Sequence, residues 1–251
     1  MKETLKNYLD NDKLIDGIIK YKKYLSENTR IENIMQTALW KSQYEDTDEI
    51  LYVPLVDFND DLQPLNSIGK HSSAYSVGAV YSTPSCLPPV ESKEISKIKT
   101  SLLYFTGDKN RLGNEIILKP HINILRELAH GLDVTCHKKI KQIKLIMHVS
   151  SGDNKAKNDI HGFQKSFSSG HPCVTCKASF NELASMVEED ESMLRTKENY
   201  SEDLEVKAHG VIKRSVYESL ENFHVLDNVA PDIMHNEFEG ELKISQRFSN
   251  V

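Results

Sequence analysis

Three groups of residues in this chain have types and spacing suited to chemistry. Asp60 and Asp61 close an apolar, β-prone run, and Asp153 closes another, just after Ser150-Ser151-Gly152. Carboxylates at strand ends are hard oxygen ligands for Mg2+ or Mn2+. Such an ion keeps several waters, which leaves room for phosphate oxygens and an attacking water. Two ions held this way stabilise both the attacking and the leaving oxygen of a phosphoryl transfer. Cys173-Val-Thr-Cys176 has the spacing of half a zinc site, and Asp232-Ile-Met-His235 follows far downstream. His235 is the expected third zinc ligand, with His171, His224 or Asp232 open as the fourth. Each group also has a structural alternative. Asp-Asp before a turn is ordinary turn chemistry, and Gly-Asp after a strand is an N-cap. A Cys-x-x-Cys can be a redox pair or two buried small side chains, although no thioredoxin-like βαβ pattern precedes this one.

These residues need a scaffold, and the hydrophobic pattern predicts one. Leu14, Ile18, Tyr21 and Leu25 recur at helical steps, so residues 1–45 read as helical. Residues 42–49 are polar and acidic, a linker. Ile50–Phe58 reads as a strand despite Pro54, and 64–69 reads as a turn. Ser76–Ser82 and Ile98–Thr106 read as a second and a third strand. Leu118, Ile122, Leu125 and Ala129 form the stripe of a helix, with Pro120 in its first turn and Gly131 at its end. Ile143, Leu145, Met147 and Val149 alternate as a fourth strand, and a short helix is expected over Lys157–Phe167. From Gly170 to about His224 no strong strand pattern appears, which suggests an inserted, mostly helical segment.

The expected architecture is therefore α/β: a ribonuclease-H-like mixed sheet of three antiparallel strands, a crossover helix and a strand beside the first. N-terminal helices over 1–48 precede a core over 49–169, and the Cys-x-x-Cys/Asp-x-x-His segment fills 170–251. In that order the first and fourth strands are neighbours, and their terminal acids can converge on a divalent ion.

Composition narrows the function classes. The chain has 251 residues, 39% hydrophobic and 27% charged, as expected of a soluble globular protein with a sizeable core. Its apolar runs are too short to span a bilayer, and the charged N-terminus has no apolar signal segment. No membrane partner is expected, and the location is read as intracellular. Four cysteines are too few for a disulfide scaffold. The net charge of −6 argues against bulk nucleic-acid binding. Local lysines run the other way, at Lys138, Lys139, Lys141 and Lys144 and again at Lys155, Lys157 and Lys165, although such clusters are commonly a solvated face. There is no phosphate-cradling Gly-x-x-x-x-Gly-Lys loop and no local signature of a nucleophile elbow.

Several strings carry a resemblance. They are Val-Asp-Phe-Asn-Asp-Asp-Leu-Gln-Pro-Leu-Asn-Ser-Ile-Gly (56–69), Ser-Val-Gly-Ala-Val-Tyr (76–81) with Cys86-Leu87-Pro88-Pro89, and Leu112-Gly113-Asn114-Glu115. Further along come Ser151-Gly152-Asp153-Asn154 with Gly162–Phe167, His171–Cys176, Leu194–Tyr200 and Asp232–Gly240. In this order, over roughly residues 50–241, the chain resembles the catalytic region of CACTA/En-Spm-type (CMC superfamily) DDE DNA transposases. The resemblance implies a ribonuclease-H-like fold, Mg2+- or Mn2+-dependent strand cleavage and transfer, and a zinc-stabilised insertion. It implies transposon-end DNA as partner, a nuclear location, and a homo-oligomer as a further possibility. It assigns the first acid to Asp60, with Asp61 as the alternative, and the second to Asp153. The zinc segment maps to Cys173, Cys176, Asp232 and His235. The family's third acid, a Glu on a helix after the insertion, has no good match, because Glu237, Glu239 and Glu241 lie too close to His235. The expectation is a transposon-derived, C-terminally truncated chain that is inactive alone. A non-catalytic, zinc-stabilised module that binds DNA or protein is the alternative. A plain acidic interaction protein is a third reading.

Overall fold

The computed structural model describes residues 2–62, 76–92 and 97–232. They form two compact units, Met1–Val149 and Ser150–Val251.

The first unit opens with helices α1 (Lys2–Leu9) and α2 (Asp12–Glu27). Asn11 caps α2 by accepting the Leu14 N–H, and Leu14, Ile15, Ile18 and Leu25 bury its apolar stripe. Gln36 closes the far end. It is nearly buried, and its Nε2 donates to the carbonyls of Leu25, Asn28 and Arg30. Thr37 caps the short α3 (Ala38–Gln43), which buries Trp40.

The sheet follows. β1 (Ile50–Leu62) pairs antiparallel with β2 (Val77–Pro84), and β2 with β3 (Lys99–Phe105). A short α4 (Pro89–Ser92) lies between β2 and β3, and α5 (Thr106–Leu112), α6 (Asn114–Ile117) and α7 (Lys119–His130) follow β3. Pro120 takes the first turn of α7 and Gly131, at φ 115°, ends it. Two strands complete the sheet, β4 (Leu132–Cys136) and β5 (Lys139–Gly152), and the order is β3-β2-β1-β5-β4. Gln142 N donates to Glu49 O and Lys141 Nζ to Asp48 O. Thus β1 and β5 start side by side and run in one direction, which makes the sheet mixed.

Two strand expectations need correction. β1 does not stop at Phe58: Asp60 and Asp61 pair opposite Ala79 and Gly78, so both acids belong to the ladder and not to a turn. β4 was missed altogether. Leu132, Val134 and Cys136 are buried and Asp133 and Thr135 exposed, a clean alternation, but only five residues long. The turn that joins it to β5 is His137-Lys138, both left-handed at φ 48° and 63°. Two-residue hairpin turns favour Asn and Gly there, so the usual turn signal is absent. The turn expected over 64–69 lies outside the described residues.

The second unit starts with the end of β5 and α8 (Asn154–Ile160). Regular structure beyond that is sparse: α9 (Phe180–Ser185), α10 (Lys197–Val206) and α11 (Val225–Asn228). Phe163, Tyr200, Val211 and Val225 form its buried core. The helix expected over Lys157–Phe167 runs earlier and ends before Gly162, which holds φ 78°. Ile212 and Lys213 both donate their N–H to Gly162 O. A Cβ on Gly162 would stand 1.9 Å from Lys213 O, so only glycine fits this crossing. No described helix is long and apolar enough to cross a membrane.

Candidate functional site

β1 carries the acids of the first unit. Side chains alternate along a strand, so Leu51, Val53, Leu55, Asp57 and Asn59 share the buried face, whereas Asp60 projects from the other. Asp57 has no exposed surface. Ser82, opposite it on β2, donates its Oγ to Asp57 Oδ1 at 2.5 Å, and His121 Nε2 of α7 lies 2.6 Å from Oδ2. The carboxylate therefore stands between the hydroxyl and the imidazole. In a nucleophile relay the imidazole would touch the hydroxyl, so this network ties α7 to β1 and β2. Asp61, on the same face, has Oδ1 3.7 Å from Lys109 Nζ of α5. Lys109 is nearly buried and also lies over the Tyr104 ring, 5.4 Å from its centroid. Asp60, half-exposed on the other face, has a different environment.

In the second unit Asp153 caps α8, with Oδ1 accepting the Ala156 N–H at 2.6 Å. One turn on, Lys157 is nearly buried and donates Nζ to Asn154 Oδ1 at 2.8 Å. Burial pushes its ammonium below the usual lysine range, against the opposing pull of Cys173, Asp153 and Asp232. The structure thus gathers three predicted site residues, Asp153, Cys173 and Asp232, in the field of one lysine. No sequence motif singled it out.

The Cys-x-x-Cys forms a tight turn. Cys173 Sγ accepts the N–H of Thr175 and of Cys176, both at 3.3 Å. Burial pushes the Cys176 thiol up, and the neighbouring Cys173 adds to this. Arg195 braces the turn: Nη2 donates to Cys173 O and His209 O, and Nη1 to Asp203 Oδ2. His209 Nδ1 lies 2.7 Å from Asp203 Oδ1, and its ring meets His171 edge-on at 5.1 Å. His171 Nδ1 donates to Lys177 O at 2.7 Å. His224 caps α11, its Nδ1 accepting the Leu226 N–H. The two thiols fit half of a zinc site. Among the described residues, no histidine, cysteine or carboxylate completes a three-donor group with them. His235, Glu237, Glu239 and Glu241 lie outside the described residues.

Asp57, His121 and Lys109 were passed over in the sequence, and Lys157 was read there only as part of a basic cluster. Only Asp57 carried a signal there, its parity with Leu51, Val53 and Leu55. A further set, Asp16, Cys136 and His137, forms the one described group of three donors close enough to share an ion. Its members are too far apart in the chain for any local motif to show. Comparison of the chain with known protein families finds no family that matches, and comparison with curated proteins finds no matching relative.

Proposed function

We propose that this chain is a transposase-derived domain of the ribonuclease-H-like class, with divalent-metal chemistry on DNA as its ancestry, and that it does not cut DNA alone. The observation that carries the reading is the sheet order: three consecutive antiparallel strands, a run of helices, then β5 beside β1. β4 is an added edge strand in this scheme. Asp60 and Asp153 are the acids the reading gives to Mg2+ or Mn2+. Asp61, the alternative first acid, has Oδ1 3.7 Å from Lys109 Nζ. Two-metal transfer relies on enough anionic ligands to clamp both ions, and two assigned acids are few for that. DNA as partner would set its place of work in the nucleus. Crystals soaked in Mn2+ test the assignment: anomalous density against the Asp60 or Asp153 carboxylate supports it, and density at neither removes its chemical basis.

A second reading, a zinc-stabilised module that binds DNA or protein without catalysis, is favoured by the two N–H donors on Cys173 Sγ. Metal analysis of the purified protein separates it. Zinc that is lost in Cys173→Ser, with no Mn2+ at the acids, selects the module.

A further inference from the structure

α2 and the tip of the β4–β5 hairpin bring three metal-binding side chains together within the first unit, with a fourth beside them. Ligand atoms of Asp16, Cys136 and His137 all lie within 4.8 Å of one another. His137 Nε2 is 3.0 and 3.1 Å from the two Asp16 oxygens, and Nδ1 is 3.8 Å from Asp12 Oδ2. Asp12 lies beside them, and its Oδ1 accepts the His137 N–H at 2.9 Å. Asp12 and Asp16 are one helical turn apart and so share a face of α2. Cys136 is the last residue of β4 and His137 the first of the turn. Regular structure thus holds Asp16 and Cys136, and His137 follows β4 directly. The Cys136 side is buried, whereas the imidazole and both carboxylates are open to solvent, which gives an ion a way in.

We propose that Asp16, Cys136 and His137 bind a divalent transition metal of the zinc class, with Asp12 beside them. One thiolate, one imidazole and one carboxylate are ligands that Zn2+ accepts in four-coordinate geometry, with a water in the fourth position. The sulfur and the imidazole disfavour Mg2+ and Ca2+, which prefer oxygen alone. The charges agree: a carboxylate and a thiolate balance a dication. The two acids help push the Cys136 thiol up, after burial, and the Asp16 hydrogen bond holds His137 toward its protonated form. Both protons leave as the metal enters. The bound ion clips α2 to a hairpin remote from it in sequence, and so stabilises the folded unit by its binding free energy.

The test is a Co2+ titration of the full 251-residue chain, read by the thiolate-to-cobalt charge-transfer band and the intense tetrahedral d–d bands. It is run beside Cys136→Ser, His137→Gln and the double variant Cys173→Ser/Cys176→Ser, with far-ultraviolet circular dichroism as the fold control. Cys86 does not interfere, since it is fully buried and its thiol is pushed up to about 12. The bands are expected to persist in the double variant and to vanish when Cys136→Ser is added to it. His137→Gln, at an exposed position, should keep the fold and weaken binding about tenfold or more. Zn2+ should displace Co2+ and raise Tm. If the double variant does not fold, Cys136→Ser in the natural chain decides: loss of one cobalt–thiolate equivalent supports the site. No band in a folded double variant, or bands unchanged by Cys136→Ser, overturns it.

Discussion

At Asp57, a carboxylate without exposed surface accepts from Ser82 and faces His121 at 2.6 Å. Removing one partner of a buried, hydrogen-bonded pair leaves the other desolvated and uncompensated, at about 3–5 kcal/mol. His121→Ala and Asp57→Ala should each lower the urea unfolding free energy by that order, and a loss under about 1 kcal/mol would show that the pair is not coupled to the fold. His161 makes a pH prediction in the second unit. Burial, helped by the Lys157 cation, pushes its pKa down to about 3, and the neutral ring spans Ser150 Oγ and Ser215 Oγ at 2.8 and 2.9 Å. The unfolded chain takes a proton near pH 6.5 that the folded ring refuses. The stabilisation is thus complete above about pH 6.5 and is lost as pH falls toward 3, with a slope of up to about 1.4 kcal/mol per pH unit. His161→Gln should flatten that part of the stability–pH curve. An unchanged slope would mean that other groups set it.

Elements differ in how far the sequence exposed them. The strands of the β1–β3 meander and the stripe of α7 were legible because hydrophobic period and turn residues agreed. The full extent of β1 was not, because Asn-Asp-Asp looks like a turn when the strand opposite cannot be seen. β4 was hidden by its left-handed His137-Lys138 turn. The chemistry divides in the same way. Cys173 and Cys176 announced themselves by spacing, and they lie in a turn where Cys173 Sγ accepts two backbone N–H groups. The Asp57–His121 contact and the set at Asp16, Cys136 and His137 depend on pairings remote in sequence, and no window of sequence contains them. At this scale the crossing at Gly162 gives a sharp expectation. Gly162→Ala forces a Cβ into Lys213 O and strains a left-handed residue, so the loss should exceed about 1 kcal/mol. Thermal unfolding measures it, and an unshifted Tm would deny the close approach.

For the whole molecule, net charge and lysine placement limit what DNA can find. The chain carries −6, and several clustered lysines already have partners: Lys141 donates to Asp48 O, Lys144 lies over the Tyr52 ring, Lys165 pairs with Asp159, and Lys157 is nearly buried. Few phosphates can be neutralised. Affinity for duplex DNA should therefore be weak and fall with salt, with no nicking or joining of transposon-end DNA in Mg2+ or Mn2+. Cleavage that disappears in Asp153→Ala would overturn the inactive reading. An electron paramagnetic resonance titration of free Mn2+ tests the metal ancestry of the two acids. The natural chain should take up Mn2+, with affinity about tenfold or more weaker in Asp60→Asn and in Asp153→Asn, as expected when a hard anionic ligand is lost. No uptake by the natural chain, or equal uptake by both variants, would contradict it.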